Sequence, residues 1–91
     1  MGTLAERLRH LRGLAGLSAS ELARLANMVR THVSLIESGD GSGVRARTVA
    51  ELARVLGVTL DWLVLGRGPA PKARAVRTAV GRARRSMSVA A

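Results

Sequence analysis

The sequence predicts an all-α fold of five short helices followed by a basic C-terminal extension. Apolar residues such as Leu4, Leu8 and Leu11 recur at three- and four-residue spacings, which is the period of a helix with one buried face. The 91-residue chain has one aromatic side chain, so its core must be aliphatic. At three predicted helix starts, Ser or Thr also precedes Glu by three residues, the pattern of a capping box that begins a helix. These pairs are Thr3 and Glu6, Ser18 and Glu21, and Thr48 and Glu51.

The helix boundaries follow from these start signals and from residues placed to end helices. The predicted helices cover residues 4–15, 19–26, 30–38, 47–56 and 60–65. Gly16 and Gly57 follow helices 1 and 4, and glycine adopts the left-handed conformation that terminates a helix. Thr59 is expected to cap helix 5. Asn27 lies in the turn after helix 2, where we expect a positive φ. Residues 39–43 are predicted to form a plain connecting loop.

Positive charge is concentrated at the C-terminal end of the chain, which carries a net charge of +9. Residues 67–91 contain seven basic residues and no acidic residue, whereas residues 1–66 contain eight basic residues and all six acidic ones. The sequence therefore predicts a nearly neutral domain, 1–66, and a basic tail, 67–91. We expect the tail to be flexible or marginally helical, because its apolar residues are small and isolated short helices are marginal in water. Such a tail favours a polyanionic partner, above all nucleic acid.

Composition argues against several other classes of protein. The chain has no cysteine, which excludes disulfides and thiolate metal sites and suits a reducing cytoplasm. No apolar run approaches the ~18 residues of a membrane span, so we expect no membrane association. His10 and His32 lie on separate predicted helices, and no nucleophile–base set or phosphate-binding loop is apparent. We therefore expect no enzymatic activity, metal or other cofactor, and a cytoplasmic, nucleoid-associated location.

Residues 18–39 are the most informative segment of the chain. They predict two short helices joined by a tight turn, with apolar residues spaced to pack the second helix across the first. Together with Leu8-x-x-Leu11-Arg12 and residues 56–66, this segment resembles the Cro/C1 (xenobiotic-response-element) helix-turn-helix family. The resemblance covers about the first two-thirds of the chain. It implies a homodimeric DNA-binding protein whose third helix enters the major groove at each half of an inverted repeat.

Helix 3 carries the residues that this resemblance places against base edges. Helical periodicity directs Val33 and Ile36 toward helix 2 and leaves the opposite face exposed. Arginine can donate two hydrogen bonds to guanine, and threonine and leucine can contact thymine methyl groups. The alternative is that this face is ordinary solvent-exposed surface. The candidate base-contacting residues are Arg30, Thr31, His32, Ser34 and Leu35.

A second set of residues is expected to contact DNA phosphates. The set consists of Ser18, Arg45, Arg47, Lys72, Arg74 and Arg77. Ala19, Val29, Leu35 and Asp40 stand where the family often has a polar or basic residue, which predicts that the domain alone binds DNA weakly. The basic tail is expected to compensate, since each phosphate contacted by Lys or Arg releases counterions. The alternative for the tail is a solubilising extension.

The resemblance also implies two structural contacts. Arg12 is expected to pair with Glu37 and to clamp helix 1 to the end of helix 3 through charge-assisted hydrogen bonds. Leu60 and Trp62 lie in the segment that the family commonly uses for dimerisation. The alternative for Trp62 is that it closes the small core.

The sequence therefore predicts a sequence-specific transcriptional regulator that binds double-stranded DNA as a homodimer. A phage repressor, an antitoxin-like autoregulator and a host regulator all fit, and the preference for Arg over Lys favours a bacterium of high GC content or its phage. Two other classes remain open. One is an adaptor of the same fold that binds a protein partner through Val29, Leu35 and Trp62. The other is a nucleoid-type or RNA-binding protein that acts mainly through the tail.

Overall fold

The computed structural model describes residues 2–39 and 44–90, with residues 88–90 described by their backbone. These residues form six α-helices and no strand, which confirms the predicted all-α fold. The helices are α1 (Leu4–Ala15), α2 (Ala19–Leu25), α3 (Arg30–Glu37), α4 (Ala46–Leu56), α5 (Leu60–Leu65) and α6 (Ala73–Ala90). The predicted loop of residues 39–43 lies mostly outside the described residues, and so does Asp40.

Local signals fix most of the helix ends. The hydroxyls of Thr3 and Thr59 accept hydrogen bonds from the third residue of their helices, and Ser18 and Glu21 form a complete capping box. Gly16 and Gly57 end α1 and α4 with φ +69°, a value that favours glycine because it has no Cβ atom.

The predicted capping box at Thr48 and Glu51 is wrong. α4 begins at Ala46 with Arg45 as its N-cap, and the N–H of Thr48 already donates to the carbonyl of Arg45 at 3.0 Å. Thr48 therefore lies inside the first helical turn. No side chain caps this helix start.

The core lies where the six helices meet, and it is built almost entirely from aliphatic side chains. The largest fully buried residues are Leu8, Leu11, Leu22, Val33, Ile36, Leu52, Val55, Leu56, Leu63, Val76 and Val80. Trp62 completes this cluster and is only 6% exposed. Two of the eleven fully buried residues belong to α6, so the predicted tail contributes to the core.

Arg7 is a buried arginine that sequence analysis did not identify. Its Nε donates to the carbonyl of Leu63 at 2.8 Å and its Nη2 to the carbonyl of Val64 at 2.6 Å. These carbonyls lie at the end of α5, where no further helical turn could satisfy them. Gly66 leaves room for the guanidinium, since a Cβ atom there would lie 3.0 Å from Nη1. Arg7 therefore ties α1 to the end of α5.

The C-terminal segment differs from its sequence-based prediction. Residues 73–90 form an 18-residue helix that packs against α1, α4 and α2, with Val76 and Val80 buried. The prediction of a flexible or marginally helical tail treated the segment as an isolated helix. Docking stabilises the helix by burying the face that an isolated helix would leave in water. Within the described ranges, no helix is long and apolar enough to cross a membrane.

Candidate nucleic-acid interface

α2, a short turn and α3 form one unit in which α3 lies at the surface of the protein. Asn27 adopts the predicted positive φ of 56° in this turn, and the N–H of Met28 donates back to the carbonyl of Ala23 at 2.9 Å. Val33 and Ile36 are fully buried and attach α3 to the core. The opposite face of α3 is thereby fixed toward solvent.

All five candidate base-contacting residues are exposed on α3. Four of them, Arg30, Thr31, Ser34 and Leu35, line one open groove along the helix. His32 lines a second groove, together with Leu35 and the start of α4. The structure thus brings these residues together on one surface that offers a guanidinium, hydroxyls, an imidazole and an apolar side chain. Such groups can form hydrogen bonds to base edges and contact thymine methyl groups.

Two of the predicted phosphate-contacting residues lie beside this surface. Arg45 and Arg47 are exposed at the start of α4 and line the same groove as His32 and Leu35. Their positive charges therefore flank α3. The hydroxyl of Ser18, which is exposed at the start of α2, accepts a hydrogen bond from the N–H of Glu21 at 3.0 Å.

The other three predicted phosphate-contacting residues lie elsewhere. Lys72 and Arg74 are at the beginning of α6, where Ala75 lines a groove with Leu60 and Trp62. Arg77 donates from Nε to the carbonyl of Leu14 at 2.9 Å and so helps to dock α6 on α1. In the docked helix Arg77 therefore makes an intramolecular contact, and contact of Lys72, Arg74 or Arg77 with DNA phosphates stays a prediction.

Glu21, at the start of α2, joins α6 to this unit. Its Oε2 lies 3.4 Å from Nη2 of Arg84. The hydrogen bonds from Ser18 lower the pKa of Glu21, and the positive charges of Arg84 and Arg24 lower that pKa further. Arg84 could not be assigned to the site from the sequence, because its proximity to Glu21 depends on where α6 docks.

Arg12 and Glu37 form a bidentate ion pair. Nε and Nη2 of Arg12 donate to the two carboxylate oxygens at 2.7 and 2.8 Å, and Nη1 donates to the carbonyl of Leu17 at 3.1 Å. The hydrogen bonds to Glu37 are the main reason that the pKa of Arg12 is raised. The pair links α1 to the last residue of α3 and therefore helps to orient the exposed face of α3.

The two predicted dimer-interface residues occupy different environments. Trp62 lies in the core, so it closes the core of the single chain and does not present an exposed contact. Leu60 is 42% exposed, and the neighbouring Val64 and Leu65 are exposed as well. The exposed apolar surface of α5 is therefore Leu60, Val64 and Leu65. In the part of the chain that the structure describes, no group of three or more His, Cys, Asp or Glu side chains could hold a metal ion.

Comparison with known proteins identifies the same unit. Residues 3–64 match the family model of a helix-turn-helix domain. Three similar proteins are HTH-type transcriptional regulators for conjugative elements: R391 in Providencia rettgeri, SXT in Vibrio cholerae and pMERPH in Shewanella putrefaciens. Each is 40% identical to the chain over 68 residues, which is 75% of this chain and 31% of the relative. The chain thus spans about a third of the length of these relatives. The family match runs from the cap of α1 into α5 and contains the whole α2–turn–α3 unit, so the chain belongs to the helix-turn-helix family and has the Cro/C1-type DNA-binding domain that its sequence resembles.

Proposed function

We propose that this protein is a transcriptional regulator that recognises specific operator sequences through the exposed face of α3. One observation carries the proposal: five exposed residues of varied chemistry lie on a helix whose opposite face is locked into the core by Val33 and Ile36. A fixed helix can present its donors and acceptors to the major groove without losing further backbone conformational entropy on binding. The relatives that regulate transcription for conjugative elements support this function.

Each part of the surface has its own proposed role. Arg30 and His32 form hydrogen bonds to bases, Thr31 and Leu35 contact thymine methyl groups, and Ser34 completes the base-contacting face. Arg45, Arg47 and Ser18 contact phosphates on either side of α3, which orients the domain on the duplex. The expected location of such a regulator is the cytoplasm, at the nucleoid.

The regulator acts as a homodimer on an inverted repeat in this proposal. Leu60, Val64 and Leu65 give α5 an exposed apolar surface that a second copy would cover. A two-fold dimer would place two α3 helices about 34 Å apart, one turn of B-DNA. Sedimentation of the protein with its selected DNA should give two chains per site. One chain per site, with the protein folded, would contradict the dimer.

A second candidate function, binding of a protein partner, is favoured by Val29. This valine is the N-cap of α3, is 61% exposed and makes no side-chain capping hydrogen bond. It lines a groove with Met28, Leu35 and Val44, next to Arg45. An adaptor would use this partly apolar groove for protein instead of DNA.

Selection of duplexes from a random-sequence library with the purified protein distinguishes these functions. The proposal predicts a shared palindromic motif. Broad retention of all sequences would favour a nucleoid-type protein, and no enrichment above a protein-free control would favour the adaptor.

A further inference from the structure

α6 ends beside the α2–turn–α3 unit, and contacts along its length hold it there. Arg77 is bonded to Leu14 at the end of α1, and Arg84 is paired with Glu21 at the start of α2. One turn later, Met87 lines an open groove with residues of α2, the turn and the first residue of α3. The lining residues are Ser20, Ala23, Arg24, Asn27, Met28, Val29, Arg30 and Met87.

Arg30 connects this groove to the base-contacting surface. It lines the groove that contains Met87, and it also lines the groove formed by Thr31, Ser34 and Leu35. The C-terminal end of α6 and the exposed face of α3 are therefore adjacent parts of one surface. A duplex lying against α3 would pass next to the end of α6.

This combined surface is strongly basic. Between them, residues 18–36 and the last part of α6, residues 81–90, contain a single acidic residue, Glu21, against Arg24, Arg30, Arg82, Arg84 and Arg85. Glu21 is already paired with Arg84 and hydrogen-bonded to Ser18. Positive charge is therefore in large excess where α6 meets the α2–turn–α3 unit. This excess favours a polyanionic partner over a partner with few negative charges.

We propose that Arg84 and Arg85, at the C-terminal end of α6, contact the sugar-phosphate backbone of the DNA duplex beside the bases that α3 contacts. This inference rests on the proposed function and extends it to a helix outside the matched family domain, which ends at residue 64. Val76 and Val80 anchor the helix in the core, so the backbone that carries its arginines is positioned before DNA binds. Less conformational entropy is lost on binding than a flexible tail would lose.

The proposal distinguishes the two ends of α6. Arg74 and Arg85 are 11 residues apart and point in nearly the same direction around the helix, about 17 Å from each other along its axis. This separation exceeds the Debye length of about 8 Å at physiological ionic strength, so removing charge at Arg74 should affect a phosphate at the other end only weakly.

Two matched double variants test this difference, each removing two positive charges. They are Arg84→Gln with Arg85→Gln, and Lys72→Gln with Arg74→Gln. Binding of each protein to a random-sequence DNA duplex is measured by fluorescence anisotropy over a range of salt concentrations. The Arg84→Gln/Arg85→Gln variant should bind DNA about tenfold more weakly than the parent. Its salt slope, the slope of log binding constant against log salt concentration, should be shallower by roughly two units, one for each lost phosphate contact. The second pair should bind nearly as the parent does.

The outcomes separate this inference from the proposed function. Equal losses in the two pairs would overturn it, because the effect would then follow net charge and not position. The inference would also be overturned if the parent binds DNA and the Arg84→Gln/Arg85→Gln variant binds it with the same affinity and salt slope. That result would leave the proposed contact through α3 intact. A parent that binds no DNA at all would overturn both proposals. Arg85→Gln alone, which leaves the Arg84–Glu21 pair in place, should lose about one unit of slope if the folded structure is unchanged by circular dichroism.

Discussion

A methyl group on Gly57 would lie only 2.5 Å from the Cβ of Ala79, so α6 packs directly on the residue that ends α4. The same glycine has a φ of +69°, which ends α4, and its lack of a side chain lets α6 approach closely. From the sequence, only its role at the helix end was predictable. Burial of Val76 and Val80 follows from this close approach, and with it the position of the C-terminal arginines.

Gly57→Ala should destabilise the fold more than Gly16→Ala does. Both glycines have φ +69°, so both variants incur a left-handed backbone penalty of about 1–2 kcal/mol. Only position 57 adds a collision with Ala79, because nothing lies within 4 Å of a Cβ at position 16. The free energy of unfolding in urea measures the difference. Ala79→Gly in the Gly57→Ala background should restore part of the loss, and equal losses at the two glycines would contradict this packing.

α6 should contribute to the stability of the whole domain. Val80→Ala is expected to cost about 2 kcal/mol, because it removes two buried methyl groups and leaves a cavity. The exposed Val29→Ala is its matched control and should change the unfolding free energy by less than about 0.5 kcal/mol. Deletion of residues 70–91 should lower the thermal midpoint further. If the truncated domain is as stable as the full chain, α6 does not contribute to the stability of the domain.

The Arg12–Glu37 pair should matter more than the exposed pair between Arg54 and Glu51. Glu37→Gln leaves the Arg12 guanidinium half-buried without its carboxylate, which should cost about 1–3 kcal/mol. Glu51→Gln removes a solvent-exposed partner three residues from Arg54 and should cost less than about 0.5 kcal/mol. Urea unfolding of the two variants provides the comparison. The clamp has no special importance if the two losses are equal.

The lowered pKa of Glu21 predicts a specific acid sensitivity. Because its folded-state pKa lies below the ordinary value of 4.5, ionised Glu21 stabilises the fold above that value. This contribution is lost as the pH falls through the folded-state pKa. Glu21→Gln, which can still accept the hydrogen bond of a capping box, should therefore lose less stability than the parent between neutral pH and about pH 3. Parallel pH profiles for the two proteins would contradict the assignment.

Most features determined by neighbouring residues were predictable from the sequence, the start of α4 being an exception. Thr3, Gly16 and Thr59 mark helix ends through hydrogen bonds and backbone conformations within one turn. The exposed face of α3 followed from the positions of Val33 and Ile36, because helical geometry fixes which residues share a face. The α2–turn–α3 unit was therefore correctly predicted.

Features that depend on distant contacts were not predictable in the same way. The valines of α6 gave no sign of where that helix would dock, since Gly57 and Ala79 are brought together only by the fold. The approach of Met87 to Arg30 depends on the same docking. For Arg7 a weak signal was present, because it lies three residues after Leu4 and four before Leu11, on the same side of α1.

The base preference of an Arg30→Ala variant tests the central claim most directly. Selection from a random duplex library should be carried out with the parent, with Arg30→Ala and with Arg9→Ala, which removes an equal charge from an exposed position on α1. Arg30→Ala should relax the preference at one base pair of each half-site and cost roughly 1–3 kcal/mol on the parent's preferred sequence. Arg9→Ala should keep the parent's motif. If Arg30→Ala selects the same motif with the same stringency as the parent, α3 does not contact the bases as proposed here.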